Sequence, residues 1–107
     1  MQEHGIPVGV GSDGAASNNS LDMLEQLRLA ALLQKHQEAD ATILKRHEVL
    51  AMATSEGAKV LREEKLGQVK EGFLADLILV NLEGAHVQPV HDVVASLVYS
   101  SRASDVD

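Results

Sequence analysis

A short apolar segment followed by a loop of small residues constrains the fold of this chain more than any other feature. Residues 6–12, IPVGVGS, have the composition of a buried strand opened by a proline and closed by a glycine. Residues 14–20, GAASNNS, are small and polar, so they predict a loop. The order strand, loop and helix is the repeating unit of α/β folds, and we therefore expect an α/β architecture.

The helix of this unit is predicted from about Leu21 to Lys35. Its apolar positions recur at helical spacing, and Ser20 or Asn19 can cap its first turn. The predicted buried face consists of Leu24, Leu27 and Ala31, widened by Met23, Ala30 and Leu33.

The rest of the chain offers few strands. Residues 43–61 predict two short helices that meet near residues 55–57. Residues 74–82, LADLILVNL, predict a strand covered on both faces, because its apolar run does not alternate. Residues 92–101 have the spacing of a short helix. Two strands in 107 residues would make a thin sheet, which suggests part of a larger domain.

The glycines at positions 9, 11 and 14 spell G-x-G-x-x-G, the form of a dinucleotide-binding loop. In that fingerprint the helix starts directly after the glycine turn, and an acidic residue follows about 20 residues later. Here six residues separate Gly14 from Leu21, and the neighbourhood of Leu33 lies inside the predicted helix. Both contextual requirements fail, so nucleotide binding is the weaker hypothesis.

Asp13 stands at the end of the first predicted strand. Catalytic side chains of barrel enzymes collect at the carboxyl ends of parallel strands, so its carboxylate is a candidate metal ligand. The alternative is a turn or helix-capping aspartate, which Ser-Asp-Gly commonly supplies. Spacing alone leaves both interpretations open.

Composition excludes several classes of function. The formal net charge of −7 and the lack of a basic cluster argue against nucleic-acid binding. Without cysteine, disulfides and thiolate metal sites are excluded, which agrees with a cytoplasmic location. No apolar run approaches the roughly 20 residues of a membrane-spanning helix, and the N-terminus lacks the pattern of a signal peptide. We therefore expect no membrane partner.

Four blocks, in order, resemble segments of the amidohydrolase superfamily. The first, starting at Gly5, contains SDGAASNN, and the second, starting at Glu48, reads EVLAMATSEGAKVL. The third and fourth start at Leu66 and Gln88 and read LGQVKEGFLADLILVNL and QPVHDVVASLVYSSRASDVD. The groups that they resemble most are the 5-methylthioadenosine/S-adenosylhomocysteine deaminases and the triazine chlorohydrolases.

This resemblance implies the C-terminal part of a (β/α)8 metal-dependent hydrolase barrel, with part of its small β-domain. The implied reaction is hydrolytic deamination or dechlorination of a heteroaromatic small molecule, with one divalent metal, zinc or iron, lowering the pKa of a bound water. Asp13 matches the family's strand-end aspartate, which binds the metal and helps catalysis. Ser17, Asn18 and Asn19 match the loop that follows it and are expected to shape the substrate pocket.

Other features of the family are missing from the sequence. It has no H-x-H pair, and none of its five histidines lies in a matching catalytic block. One carboxylate does not hold a catalytic zinc, so we expect this chain alone to bind none and to be inactive. On the resemblance, residues 1–61 form the last barrel strand and its helices, and 62–107 return partway into the small β-domain. Met1 then resembles an internal residue of a longer enzyme.

A second hypothesis is a free-standing α/β binding or interaction module without catalysis. It would bind a second copy of itself, or a separate chain that supplies the histidines. A homo-oligomer is possible under either hypothesis, because a helix face intended for barrel strands would be exposed.

Overall fold

The computed structural model describes residues 4–107. Five α-helices and one 3₁₀ helix follow each other in this range. They are α1 (Ala15–Asn18), α2 (Met23–Glu38), α3 (Arg46–Ala53), α4 (Ser55–Leu61), α5 (Val93–Tyr99) and the 3₁₀ helix (Ala103–Asp105).

The long helix α2 begins at a strong N-cap. The carboxylate of Asp22 accepts hydrogen bonds from the backbone N–H groups of Leu24 (2.9 Å) and Glu25 (3.1 Å). The predicted cap at Ser20 or Asn19 is therefore wrong, because the carboxylate satisfies two N–H groups of the first turn at once. Ser20 instead donates from its hydroxyl to the side chain of Glu25. The helix ends where Ala39 turns to a left-handed conformation (φ 52°).

The core lies where α2, α3 and α5 meet. The centre of the buried face predicted for α2 is confirmed, since Leu24, Leu27 and Ala31 are its buried residues. The wider face is wrong, because Leu33 and Met23 are 63% and 36% exposed. They pack with Val49 of α3 and Val98 of α5. The core is small and aliphatic, as expected for a chain with one Phe and one Tyr. Its remaining partners, half-buried against this cluster, are Val10, Leu44, Leu50, Ala53, Tyr99 and Val106.

The second helical region divides at Thr54, slightly before the predicted junction. Gly57 lies inside α4 and does not separate the helices. The chain returns closely against this junction at Gly67, which has φ +80°. A Cβ atom there would lie 2.5 Å from the carbonyl oxygen of Thr54, so only glycine fits.

The predicted strands at 6–12 and 74–82 do not form within residues 4–107. The β-pairing in this range is a single antiparallel bridge between Val80 and Val106. A strand needs a neighbour to receive its backbone hydrogen bonds, and these segments find few in the described chain. Residues 77–79 are 59, 62 and 74% exposed, although their sequence is that of a covered strand. The α/β expectation is thus corrected for these residues, which are helical and irregular.

The C-terminal segment returns to the helical core. Arg28 donates to the carbonyl of Ser101 (2.8 Å), and the carboxylate of Asp22 accepts from the backbone N–H of Ala103 (2.9 Å). The predicted division into 1–61 and 62–107 stays a prediction, and helix α5 of the second part packs on α2 and α3 of the first. In the described range, no helix is both long enough and apolar enough to span a bilayer.

Candidate functional site

The candidate site is the loop over residues 12–19, called the site loop below. Asp13 has φ +57°, in the left-handed region, which Asp tolerates better than most residues. The carbonyl of Gly14 then accepts the N–H groups of Ser17 and Asn18, both at 3.0 Å, and closes the one-turn helix α1. Asn19, with φ +62°, ends that turn. The predicted loop over 14–20 therefore contains a helical turn, because Gly14 starts it and Asn19 adopts the left-handed conformation that stops it.

Ser17 orients the candidate carboxylate. Its hydroxyl lies 3.0 Å from Oδ2 of Asp13 and 2.9 Å from the carbonyl oxygen of Gly14. Asp13 itself is exposed. The structure thus presents an accessible carboxylate on a turn, with a neighbouring hydroxyl against one of its oxygens.

Asn18 faces the opposite way along the loop. Its Nδ2 donates to the carbonyl of Ser12 at 2.7 Å, and its side chain is half-buried, whereas Asn19 is exposed. Of the three residues expected to shape a substrate pocket, Ser17 contacts Asp13 and Asn18 contacts the backbone that precedes it. The pocket role of Ser17, Asn18 and Asn19 stays a prediction.

The helix-capping alternative for Asp13 does not agree with the geometry. The N-cap position of α1 is Gly14, and no side chain caps that helix. The longer helix α2 is capped by Asp22. The side chain of Asp13 is therefore not used in capping. The turn part of the same alternative agrees with the structure, because Asp13 lies in the turn before α1.

The described residues do not complete a metal site. A catalytic zinc takes three protein ligands, and within residues 4–107 no three His, Asp, Glu or Cys side chains are placed to share an ion. Asp13 fits as one ligand of a divalent metal ion, because its carboxylate is exposed and its oxygens can coordinate such an ion. The expectation that the isolated chain binds no metal stays a prediction that zinc analysis can check.

One histidine has a defined structural partner. Nε2 of His86 lies 2.9 Å from Oδ2 of Asp105, which also accepts the N–H of Arg102. These two contacts, that with His86 first, lower the pKa of Asp105. His86 thus connects the loop before α5 to the 3₁₀ helix through Asp105.

A groove of about 530 Å³ lies elsewhere on the chain. It is bordered by Gly9 and Gly11, by the junction of α3 and α4, and by Asp76 and Ile78. Asp13 does not line this groove. The groove and the candidate carboxylate are therefore separate features of the described chain.

Sequence reasoning missed two contacts, one within the site loop and one at the start of α2. The bond of Asn18 to Ser12 and the double role of Asp22 both involve side chains meeting backbone groups. The signal for Asp22 was present, since an Asp two residues before a helical apolar repeat is a common N-cap.

The model of the amidohydrolase family matches residues 1–107, which is the whole chain. The chain belongs to the amidohydrolase family. This amidohydrolase chain is 48% identical over 103 residues to a 5-methylthioadenosine/S-adenosylhomocysteine deaminase of Thermococcus kodakarensis, covering 96% of the chain and 24% of that protein. It is 49% identical over 107 residues to the enzyme of that name from Dictyoglomus thermophilum, covering 100% of the chain and 25% of that protein.

Solved structures show the same relationship. An adenosine deaminase from Xanthomonas campestris with bound zinc matches 98% of the amidohydrolase chain with a TM-score of 0.94 and 38% identity. An atrazine chlorohydrolase from Arthrobacter aurescens complexed with zinc matches 99% of it with a TM-score of 0.85 and 35% identity. The match covers 24% of each of those chains. The amidohydrolase chain therefore spans about a quarter of the length of the relatives it matches.

Proposed function

We propose that this chain is the part of a metal-dependent amidohydrolase that contributes the Asp13 carboxylate to the active site. The reaction proposed for the whole enzyme is the hydrolytic removal of an amine from a heteroaromatic ring of the adenosine type. Dechlorination of a triazine-type ring is the second candidate. The observation that carries the proposal is the accessible, Ser17-oriented carboxylate of Asp13, in a chain that resembles two zinc-containing hydrolases along nearly its whole length.

Sequence similarity favours the adenosine-type substrate. The curated deaminases are 46 to 50% identical to the chain, whereas the atrazine chlorohydrolase is 35% identical. A site that acts on an adenosine-type ring must recognise the nucleoside through side chains that lie mostly outside this chain. Zinc and iron are both candidates for the metal, and a homo-oligomeric state and a cytoplasmic location remain predictions from the sequence.

The role of Asp13 in this proposal follows from its chemistry. A carboxylate offers two oxygens with several lone pairs, so one oxygen can serve a metal ion while the other accepts a hydrogen bond. The Ser17 hydroxyl lies 3.0 Å from Oδ2 and has one proton to donate, either to Oδ2 or to the carbonyl oxygen of Gly14 at 2.9 Å. In the whole enzyme a bound divalent metal supplies a water that ionises near neutral pH, about pH 7. The remaining metal ligands would come from outside the described residues.

The barrel assignment belongs to the same proposal. Residues 6–12 would be the last barrel strand, α2 the helix after it, and 74–82 a strand of the small domain. The exposure of residues 77–79 supports this placement, because an apolar strand without alternation is normally covered on both faces by the rest of its domain.

A chimeric enzyme tests the proposal. The segment of the Dictyoglomus thermophilum deaminase that corresponds to residues 1–107 is replaced by this chain, and ammonia release from 5-methylthioadenosine is measured. We expect the chimera to be active, and Asp13→Asn to lower kcat by about a hundredfold or more, the scale for losing one preorganised electrostatic group. Glu71→Gln, the same chemical change at an exposed acid, is the control and should leave kcat unchanged.

Two results would contradict the proposal. One is a chimera that folds with the thermal stability of the parent enzyme and deaminates nothing, which would favour the binding-module hypothesis. The other is an Asp13→Asn chimera with the same kcat as the Glu71→Gln control.

A further inference from the structure

The backbone at Asp13 needs a contact that holds it. Its φ of +57° places Cβ close to the following carbonyl, a conformation that Asp tolerates better than most residues but that costs more than right-handed backbone. Gly14 is the next residue, but the left-handed conformation falls on Asp13 and not on the glycine. The direction of the Asp13 side chain is set by this turn, because Cβ follows the backbone. Whatever holds the peptide bond before Asp13 therefore also aims its carboxylate.

The side chain of Asn18 makes that contact. Its Nδ2 donates to the carbonyl of Ser12 at 2.7 Å, and that carbonyl belongs to the peptide group joining Ser12 to Asp13. The bond fixes the plane of this peptide and with it the rotation about the N–Cα bond of Asp13. Asn18 is half-buried, whereas Ser17 and Asn19 on either side of it are exposed. The amide is thus packed into the loop and faces the backbone.

Two residues of α1 contribute to the position of the Asp13 carboxylate through different contacts. Ser17 contacts the carboxylate itself at 3.0 Å, and Asn18 holds the backbone from which it projects. Both side chains come from a single helical turn that starts at Gly14 and ends at Asn19. The hydrogen bond from Asn18 to the Ser12 carbonyl therefore closes a loop of residues 12–18 that includes Asp13.

We infer that Asn18 is a positioning residue for Asp13, acting through the Ser12–Asp13 peptide and not by contact with substrate. This inference rests on the proposed function, in which Asp13 is the catalytic carboxylate. Under this inference Asn18 does not line the substrate pocket, as the sequence led us to expect, but holds the backbone next to Asp13. Without the hydrogen bond from Asn18, the Ser12–Asp13 peptide can rotate. The Asp13 carboxylate then no longer points in the direction that catalysis requires.

The deaminase chimera tests the inference with Asn18→Asp. This variant keeps the size of the side chain but places a carboxylate oxygen against the Ser12 carbonyl, where a donor stood. Gln37→Glu is the matched control, because it makes the same amide-to-acid change at an exposed position of α2. Asn18→Ala removes the donor without adding charge, so the test does not depend on one variant.

We expect both Asn18 variants to lower kcat by about 10- to 100-fold, since a misplacement of about 1 Å in a catalytic group costs on that order. KM should change little. Turnover should fall by the same factor with S-adenosylhomocysteine as with 5-methylthioadenosine, because Asn18 touches neither substrate. The melting temperature is measured alongside, and a variant that melts near the control while losing turnover supports positioning.

Distinct outcomes overturn distinct claims. An active wild-type chimera in which both Asn18 variants turn over as fast as Gln37→Glu overturns the positioning role alone. A rise in KM with unchanged kcat, or unequal losses for the two substrates, also overturns it, because such changes indicate contact with substrate. An inactive but folded wild-type chimera refutes the proposed function and, with it, the role of Asn18 toward Asp13.

Discussion

Asp22 joins the start of α2 to the end of the chain, and its removal is the most informative perturbation of stability. One carboxylate oxygen accepts the N–H groups of Leu24 and Glu25 at 2.9 and 3.1 Å. The other oxygen accepts the N–H of Ala103 at 2.9 Å, across 81 residues of sequence. Asp22→Ala removes all three bonds in one step.

The expected magnitude follows from these contacts. Loss of an N-cap side chain costs about 1 kcal/mol. Loss of the further bond to Ala103, made by an ionised acceptor, adds about 1.5 kcal/mol, at the lower end for such bonds because the site is half-exposed. Asp22→Ala should therefore lower the free energy of unfolding by about 2.5 kcal/mol. In Asp22→Asn the remaining oxygen still caps the helix, so we expect a loss of about 1.5 kcal/mol.

Urea unfolding of the chain, followed by far-UV circular dichroism, measures both changes. The control is Glu71→Ala, which removes the same charge from an exposed position. We expect Asp22→Ala to be the least stable variant, followed by Asp22→Asn, with the control near wild type. The reasoning is refuted if Asp22→Ala costs no more than Glu71→Ala, or if the Asp22→Asn variant is as unstable as the Asp22→Ala variant.

Two further predictions concern the core and the response to acid. Leu27→Ala should lower the free energy of unfolding by about 2–5 kcal/mol in the same urea assay, because Leu27 is 1% exposed in the core. Leu33→Ala, at a position of the same helix that is 63% exposed, should lower it by under about 1 kcal/mol. Equal losses for the two variants would contradict the core assignment. Hydrogen bonds from the N–H of Ala95, the larger cause, and from the guanidinium of Arg46 lower the pKa of Asp92 in the folded state. The ionised carboxylate therefore stabilises the folded state at pH values above its unfolded pKa of about 4. This stabilisation is lost as the pH falls through the lower pKa of the folded state. Asp92→Asn should flatten the acid side of a plot of unfolding free energy against pH, and an unchanged slope there would oppose this assignment.

The helices could be predicted because their signals are local. The spacing of Leu24, Leu27 and Ala31 marks a face that the structure buries, and the short helix predicted over 92–101 forms as α5. Boundaries were less accurate, since Asp22 and Thr54 set them through backbone geometry and capping bonds that the periodicity of apolar residues does not contain.

The strands and the site depended on information that is not local. The run over 74–82 has the composition of a strand, but strand formation requires a partner, and the described chain offers it one bridge. Asp13 was identified through resemblance to a family motif. Its left-handed backbone and the bond of Asn18 to the Ser12 carbonyl could not be predicted, because neither produces a periodicity or a composition that sequence reading detects.

The run over residues 77–82 is paired within the described range by one bridge, from Val80 to Val106, and it makes the isolated chain prone to aggregate in concentrated solution. Its residues, LILVNL, have high β-propensity and contain neither proline nor charge, so they can stack in register on the same residues of other molecules and grow into cross-β fibrils. Asp76 stands directly before the run, as a gatekeeper whose charge opposes such stacking. Preparations of this chain should therefore lose material to fibrils faster when Asp76 is replaced by asparagine.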